Sequence, residues 1–242
     1  RFIVVSNLTS NDGGAAIVAG NERVLRARLY DAKFFWDVDR QTSLDDCSKR
    51  LGEITFHAKL GSMSDKVIRL AKLGVKIAQR VPKANADMVE RAALLCKADL
   101  VTEMVSEFPE LQGVMGKYYA LQQGENASVA AAIADHYSPL GPSNVCPKAP
   151  NSVSLALSDK IDILVGMFGV GGRPSGSKDP YALRRAALGV IRLIMENDLR
   201  LPLIEVIRES HKSYKLGVLG DRSECVRTLV DFITDRLKVH LR

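Results

Sequence analysis

Few residues in this 242-residue chain have the chemistry to bind a cation or move a proton. His136, Asp99 and Asp159 are of types that suit several transition metals if the fold brings them together. His57, His211 and His240 lie on separate segments and form no catalytic grouping. Cys47, Cys96, Cys146 and Cys225 are scattered, with no Cys-x-x-Cys pair and no Cys/His ligand spacing, and read as buried or incidental thiols. Gly169-Val170-Gly171-Gly172 invites a phosphate-loop reading. It follows a helical pattern and lacks the Gly-Lys-Ser/Thr ending that grips phosphate and magnesium, so it reads as a connecting loop. The serines have no His/Asp partners in a hydrolase-type string.

Basic residues are the second chemical resource. Lys178, Arg184 and Arg185 gather around an expected helix start, where free backbone N–H groups favour an anion such as phosphate. Lys59, Lys66, Arg69, Lys72 and Lys76 recur at spacings of three to seven, as on one helix face, either solvated or facing RNA. Tyr118 and Tyr119 beside Lys117 are placed either to stack on an unpaired base or to pack in a core. A net charge of +6 and a pI of 9.2 favour polyanions at long range. No apolar run reaches spanning length, since Val153–Val170 is interrupted by Asp159, Lys160 and Asp162; a soluble, cytoplasmic protein is expected, with no membrane partner. The chain opens at Arg1, without a secretory pattern, and reads as an internal fragment.

The elements that must position these residues are mostly helices. Residues 1–7 read as a strand and 9–14 as a loop. Asn21 is expected to cap a helix bearing Val24, Leu25, Ala32 and Phe35 on one face. Ser43 with Asp46, Ser62 or Ser64, Ala86-Asp87, Pro109, and Asn126 or Ser128 mark further helix starts. Ser152–Phe168 is apolar nearly all round and is expected to be a central buried helix. After the Gly/Pro-rich stretch 169–176, amphipathic helices are expected over 180–197, 201–214 and 222–241.

Several strings resemble a known family. They are Gly20-Asn21-Glu22-Arg23-Val24-Leu25 with Ala27-Arg28-Leu29 and Asp31-Ala32-Lys33-Phe34-Phe35, then Lys97-Ala98-Asp99-Leu100-Val101-Thr102-Glu103, Glu107-Phe108-Pro109-Glu110-Leu111-Gln112-Gly113, and Asp135-His136-Tyr137-Ser138-Pro139. The most specific is Gly176-Ser177-Lys178-Asp179-Pro180 followed by Ala182-Leu183-Arg184-Arg185-Ala186-Ala187. Together they resemble the β-subunit of bacterial tetrameric glycyl-tRNA synthetase. The resemblance covers most of the chain from about Phe2 to Leu203 and thins beyond it.

That resemblance implies an α2β2 ligase whose α-subunit holds the active site for glycine, ATP and magnesium, while β contributes tRNA binding and assembly. The expected partners are the α-subunit and tRNA-Gly, and this chain would carry no catalytic residue and no cofactor. It further implies an all-α fold: an HD-domain-like helical bundle over 56–172, preceded over 1–55 by a strand-containing remnant and followed over 173–242 by additional helices. Enzymes of the HD type hold metal through a His, a His-Asp pair and a later Asp. Here Cys96-Lys97 stands where the pair belongs, and lysine brings a positive charge where a ligand must be negative or neutral. Asp159 resembles the later Asp, and is expected to pair with Lys97 in place of a metal. The RNA-facing candidates are therefore Lys178, Arg184, Arg185, Lys66 and Arg69. The alternatives are an HD-type metal-dependent phosphohydrolase, which Cys96-Lys97 opposes, and a purely structural tether that touches no RNA.

Overall fold

A computed structural model describes residues 2–7 and 9–241. They divide into two compact units, residues 1–41 and 42–242.

In the first unit, the described part of the expected strand, residues 2–7, forms no β-strand. Exposure alternates along it, with Ile3 and Val5 above 90 % and Phe2 and Val4 near half of that. The period-2 pattern is present, yet alternation without a neighbouring edge makes no sheet. Helix α1 (Ala15–Asp39) starts earlier than its sequence pattern suggests. The Asp12 carboxylate accepts the Gly14 and Ala16 N–H groups at 2.9 and 2.8 Å, occupying the donors that a helix start leaves open. Asn21 is therefore not a cap. It lies inside α1, and its side-chain amide donates back to the Ile17 carbonyl at 2.8 Å.

The second unit is a helical bundle with one small hairpin. Ser43 caps α2 (Leu44–Arg50) by accepting the Asp46 N–H at 3.0 Å. An antiparallel hairpin follows, β1 (Thr55–His57) and β2 (Gly61–Ser62), too short to leave an alternation signal in the sequence. Ser62 and Asp65 form a reciprocal capping box at the start of α3 (Met63–Ala78). Asn85 caps α4 (Ala86–Leu95). The chain then runs through a 3-10 turn (Ala98–Val101) and the short α5 (Glu103–Glu107). Pro109 opens only another 3-10 turn, and α6 (Val114–Gln122) waits for Gly113, at φ 78°. Asn126 caps α7 (Ala127–Asp135).

The expected central helix is α8 (Pro150–Gly169), buried along nearly its whole length. It contacts α3, α4, α7 and the three helices that follow it, α9 (Leu183–Glu196), α10 (Leu203–Lys212) and α11 (Arg222–His240). Leu164, Val190, Ile207 and Leu229, one from each of α8 to α11, are completely buried in one cluster. Removing each such side chain from water stabilises by roughly 1.5–3 kcal/mol. The Gly/Pro-rich stretch 169–176 is thus a connection within this unit. Helix α9 begins at Leu183 rather than at Pro180, because Ala182 sits at φ 54°, a left-handed conformation that no α-helix can continue through.

Candidate functional site

Where α3, α4, α7 and α8 meet, the bundle interior is charged. Helix α8 supplies Asp159, Lys160 and Asp162; α3 supplies Lys66 and Arg69; Lys97 and His136 stand just past the ends of α4 and α7. Charge this deep is tolerated only when paired. The Arg69 guanidinium grips Asp162 through two nitrogens at 2.8 and 3.2 Å and donates to the Leu60 carbonyl at 3.3 Å. The Lys66 ammonium lies 3.1 Å from Asp159 and 3.3 Å from Asp162. The Tyr214 hydroxyl donates to the backbone carbonyl of Asp162 at 2.9 Å.

Lys97 occupies the position a metal ion would have to take between His136 and Asp159. Its ammonium is 2.7 Å from His136 Nε2, 3.4 Å from Asp159 Oδ1 and 3.8 Å from the centre of the Tyr137 ring. The tautomer follows from the partners. His136 Nδ1 is 2.6 Å from the Ile133 carbonyl, which can only accept, so Nδ1 carries the proton and Nε2 accepts from Lys97. Burial, reinforced by the Lys97 charge, holds the His136 pKa well below its ordinary value, so the ring is neutral. Asp159 is the opposite case. Burial works against its ionisation, but Lys66 and Lys97 outweigh it and hold the carboxyl below the usual carboxylate range. Asp159 Oδ1 meets both ammoniums at ion-pair distance without a directed hydrogen bond to either.

Of the four buried cations in this cluster, Lys66, Arg69 and Lys97 pair with Asp159 or Asp162, and Lys160 pairs with neither. The excess is solvated by carbonyls and ring faces. Lys160 donates to the carbonyls of His136, Tyr137 and Ser138 at 3.3, 3.0 and 3.0 Å, closing the end of α7, and burial lowers its pKa to about 8. Arg69 lies 4.1 Å over the Tyr214 ring and Lys66 4.8 Å over Phe56. Cys96 is completely buried, which pushes its thiol up to about 12 and leaves it inert.

Asp99 does not join His136 and Asp159. Its Oδ2 accepts the Gly113 and Gly116 N–H groups at 2.6 and 3.0 Å, tying the 3-10 turn to the start of α6, and burial raises its pKa. Among the described residues, no three His, Cys, Asp or Glu side chains form a group able to hold a metal ion. The HD-type ligand set does not fit these residues, because an ammonium already fills the place a dication would need.

Burial corrects two of the basic candidates. Lys66 and Arg69 are 3 and 5 % exposed and point at carboxylates, so neither is available to an RNA backbone. The expected single face Lys59, Lys66, Arg69, Lys72 and Lys76 is two faces. Lys72 and Lys76 are exposed on α3, and Lys59 stands in the hairpin turn. Near α9, Lys178 and Arg185 are exposed, while Arg184 turns back to donate to the Gly176 carbonyl at 2.7 Å. The start of α9 is already filled, since the Asp179 carboxylate accepts the Leu183 and Arg184 N–H groups at 2.8 and 3.0 Å. Tyr118 is exposed and Tyr119 is core. The sequence reading passed over Asp162. Its signal was available: two carboxylates at i and i+3 in an otherwise apolar helix share a face and require buried cations.

No helix is long and apolar enough to cross a membrane among the described residues. Comparison with known sequences gives 51 % identity over 245 residues to the "Glycine--tRNA ligase beta subunit" of Rhodospirillum centenum. Identity is 49 % over 247 residues to the protein of that name from Ruegeria sp., and 48 % over 244 residues to that from Polaromonas naphthalenivorans. Each alignment covers 100 % of this chain and 34 % of the relative, so the chain spans about a third of their length. The profile described as "Glycyl-tRNA synthetase beta subunit" matches residues 1–242, and the chain belongs to that family.

Proposed function

We propose that this chain is a noncatalytic, tRNA-binding and assembly part of a cytoplasmic glycyl-tRNA synthetase, supporting attachment of glycine to tRNA-Gly by chemistry carried on the α-subunit with ATP and magnesium. The observation that carries the noncatalytic reading is the Lys97 ammonium lodged between His136 and Asp159, which turns a set of ligand types into a closed, ion-paired strut. In this reading the bundle is HD-like and has exchanged a metal for lysine. Family membership supports tRNA and the α-subunit as partners. The net charge of +6 and the exposed Lys178 and Arg185 support contacts to tRNA phosphates.

Titration of tRNA-Gly with this chain, with and without α-subunit, across a range of salt tests the reading. Binding that weakens linearly in log affinity against log salt is expected. Absence of tRNA binding in both conditions would reject the RNA role and favour a structural tether. Metal-dependent phosphatase activity abolished by Asp159→Ala would establish the enzyme instead.

A further inference from the structure

A basic surface assembled from distant parts of the sequence backs onto the buried cluster through Arg69 and Tyr214. The hairpin turn brings Lys59, α3 brings Lys72, and the end of α10 with its following loop brings Lys212 and Lys215. Two depressions of about 400 and 390 Å³ lie here, with Tyr214 and Lys215 lining both. In the first, the single carboxylate is Asp65, which is committed to the α3 capping box and pairs with Lys215 at 3.3 Å. The second is lined by no carboxylate at all. Its positive charge comes from Lys212, Lys215 and Arg222, since His211 is bonded to the Gly220 carbonyl and burial lowers its pKa. Lys59, Lys72 and Arg222 have no ion pair among the described residues, and the loop tip presents Leu216 fully to solvent beside Lys215.

We infer that this double depression is a docking groove for the phosphodiester backbone of RNA. Lys212 pairs with Glu209 at 3.0 Å and Lys215 with Asp65, yet both stay exposed beside the unpaired Lys59, Lys72 and Arg222; exposed cations beside a concave surface are what a polyanion gains from, by releasing its condensed counterions. Lysine serves here as a point charge toward phosphate, and Arg222 adds a guanidinium fork. A protruding apolar side chain among the lysines gives a sugar or an unstacked base a surface to rest on. The choice of RNA over another polyanion rests on the function proposed above. The groove itself rests on geometry the sequence could not show, since Lys59 and Lys215 are brought to one wall by the packing of α10 on α3.

The test is fluorescence anisotropy of a tRNA transcript with the chain, comparing wild type with Lys59→Gln/Lys72→Gln/Lys212→Gln/Lys215→Gln and, separately, with Lys178→Gln/Arg185→Gln. Loss of four phosphate contacts is expected to reduce the slope of log affinity against log salt by roughly 3 and to raise Kd at low salt about tenfold or more. Wild-type binding with an unchanged slope in the fourfold variant would overturn the groove and leave the tRNA-binding reading standing. No binding by wild type would overturn both. Equal affinity and slope for polyglutamate would overturn RNA as the occupant. If the fourfold variant melts at a lower temperature, Lys59→Gln/Lys72→Gln decides, because neither lysine makes an ion pair; it should flatten the slope by roughly 1.5, and no change would reject the groove.

Discussion

Lys97 bridges His136 and Asp159, so its removal leaves His136 Nε2 without its donor and Asp159 with Lys66 alone. Lys97→Met keeps most of the volume and deletes the charge; breaking a buried pair in this way costs about 3 kcal/mol. Urea denaturation should show that loss, and a change below about 1 kcal/mol would mean that Lys66 alone satisfies Asp159. The same residues set the acid limb of stability. His136 has a depressed pKa in the fold, so below about pH 6.5 the unfolded chain takes up a proton that the folded one refuses, and stability falls as pH falls. Asp159 is also depressed. Its contribution is complete above the unfolded value near 3.8 and declines only as pH drops beneath it. His136→Gln, whose amide oxygen can still accept from Lys97, should flatten the pH dependence between about 6.5 and 5 by up to about 1.4 kcal/mol per pH unit. An identical acid limb in that variant would show that His136 titrates normally.

Helix α8 is the element that makes the buried charge possible, because it is gripped on all sides and its neighbours approach closely. On α9, Gly189 is one point of close approach, where an added Cβ would stand 2.6 Å from Lys160 Cε and 2.8 Å from its Cδ. That lysine stem cannot swing aside while its ammonium is held by three carbonyls. Gly189→Ala should therefore cost about 1–3 kcal/mol by overpacking, beyond the slight gain in helix propensity. Thermal melting of the variant checks it. If Lys160→Met, which frees the stem from its carbonyls, relieves much of that cost, the clash is located; an unaffected melting temperature in Gly189→Ala would show that α9 can shift.

Across the described residues, the interior consumes Lys66, Arg69, Lys97, Lys160 and Arg192, and RNA contacts must come from cations left outside. Lys178→Gln/Arg185→Gln should lower the salt slope of tRNA binding by roughly 1.4 to 1.8 while changing stability by no more than about 0.5 kcal/mol, since both side chains are exposed. A parallel salt titration and melt would separate a binding role from a packing one, and an unchanged slope would reject the α9 site. Sequence alone determined the mostly helical class, the cap at Ser43 and the buried helix around Leu157 and Leu164, narrowed two further caps to Ser62 or Ser64 and Asn126 or Ser128, and through the family resemblance gave the Lys97–Asp159 pairing, because caps and periodicity are local and a charge at a motif position is read directly. It misjudged Asn21 and the opening strand, where a local signal met a competing cap or lacked a partner edge. Only the tertiary structure decided which basic residues face water. Lys66 and Lys72 lie six residues apart on α3, about 240° around a helix of 3.6 residues per turn, and which side meets α8 depends on chain nearly a hundred residues away.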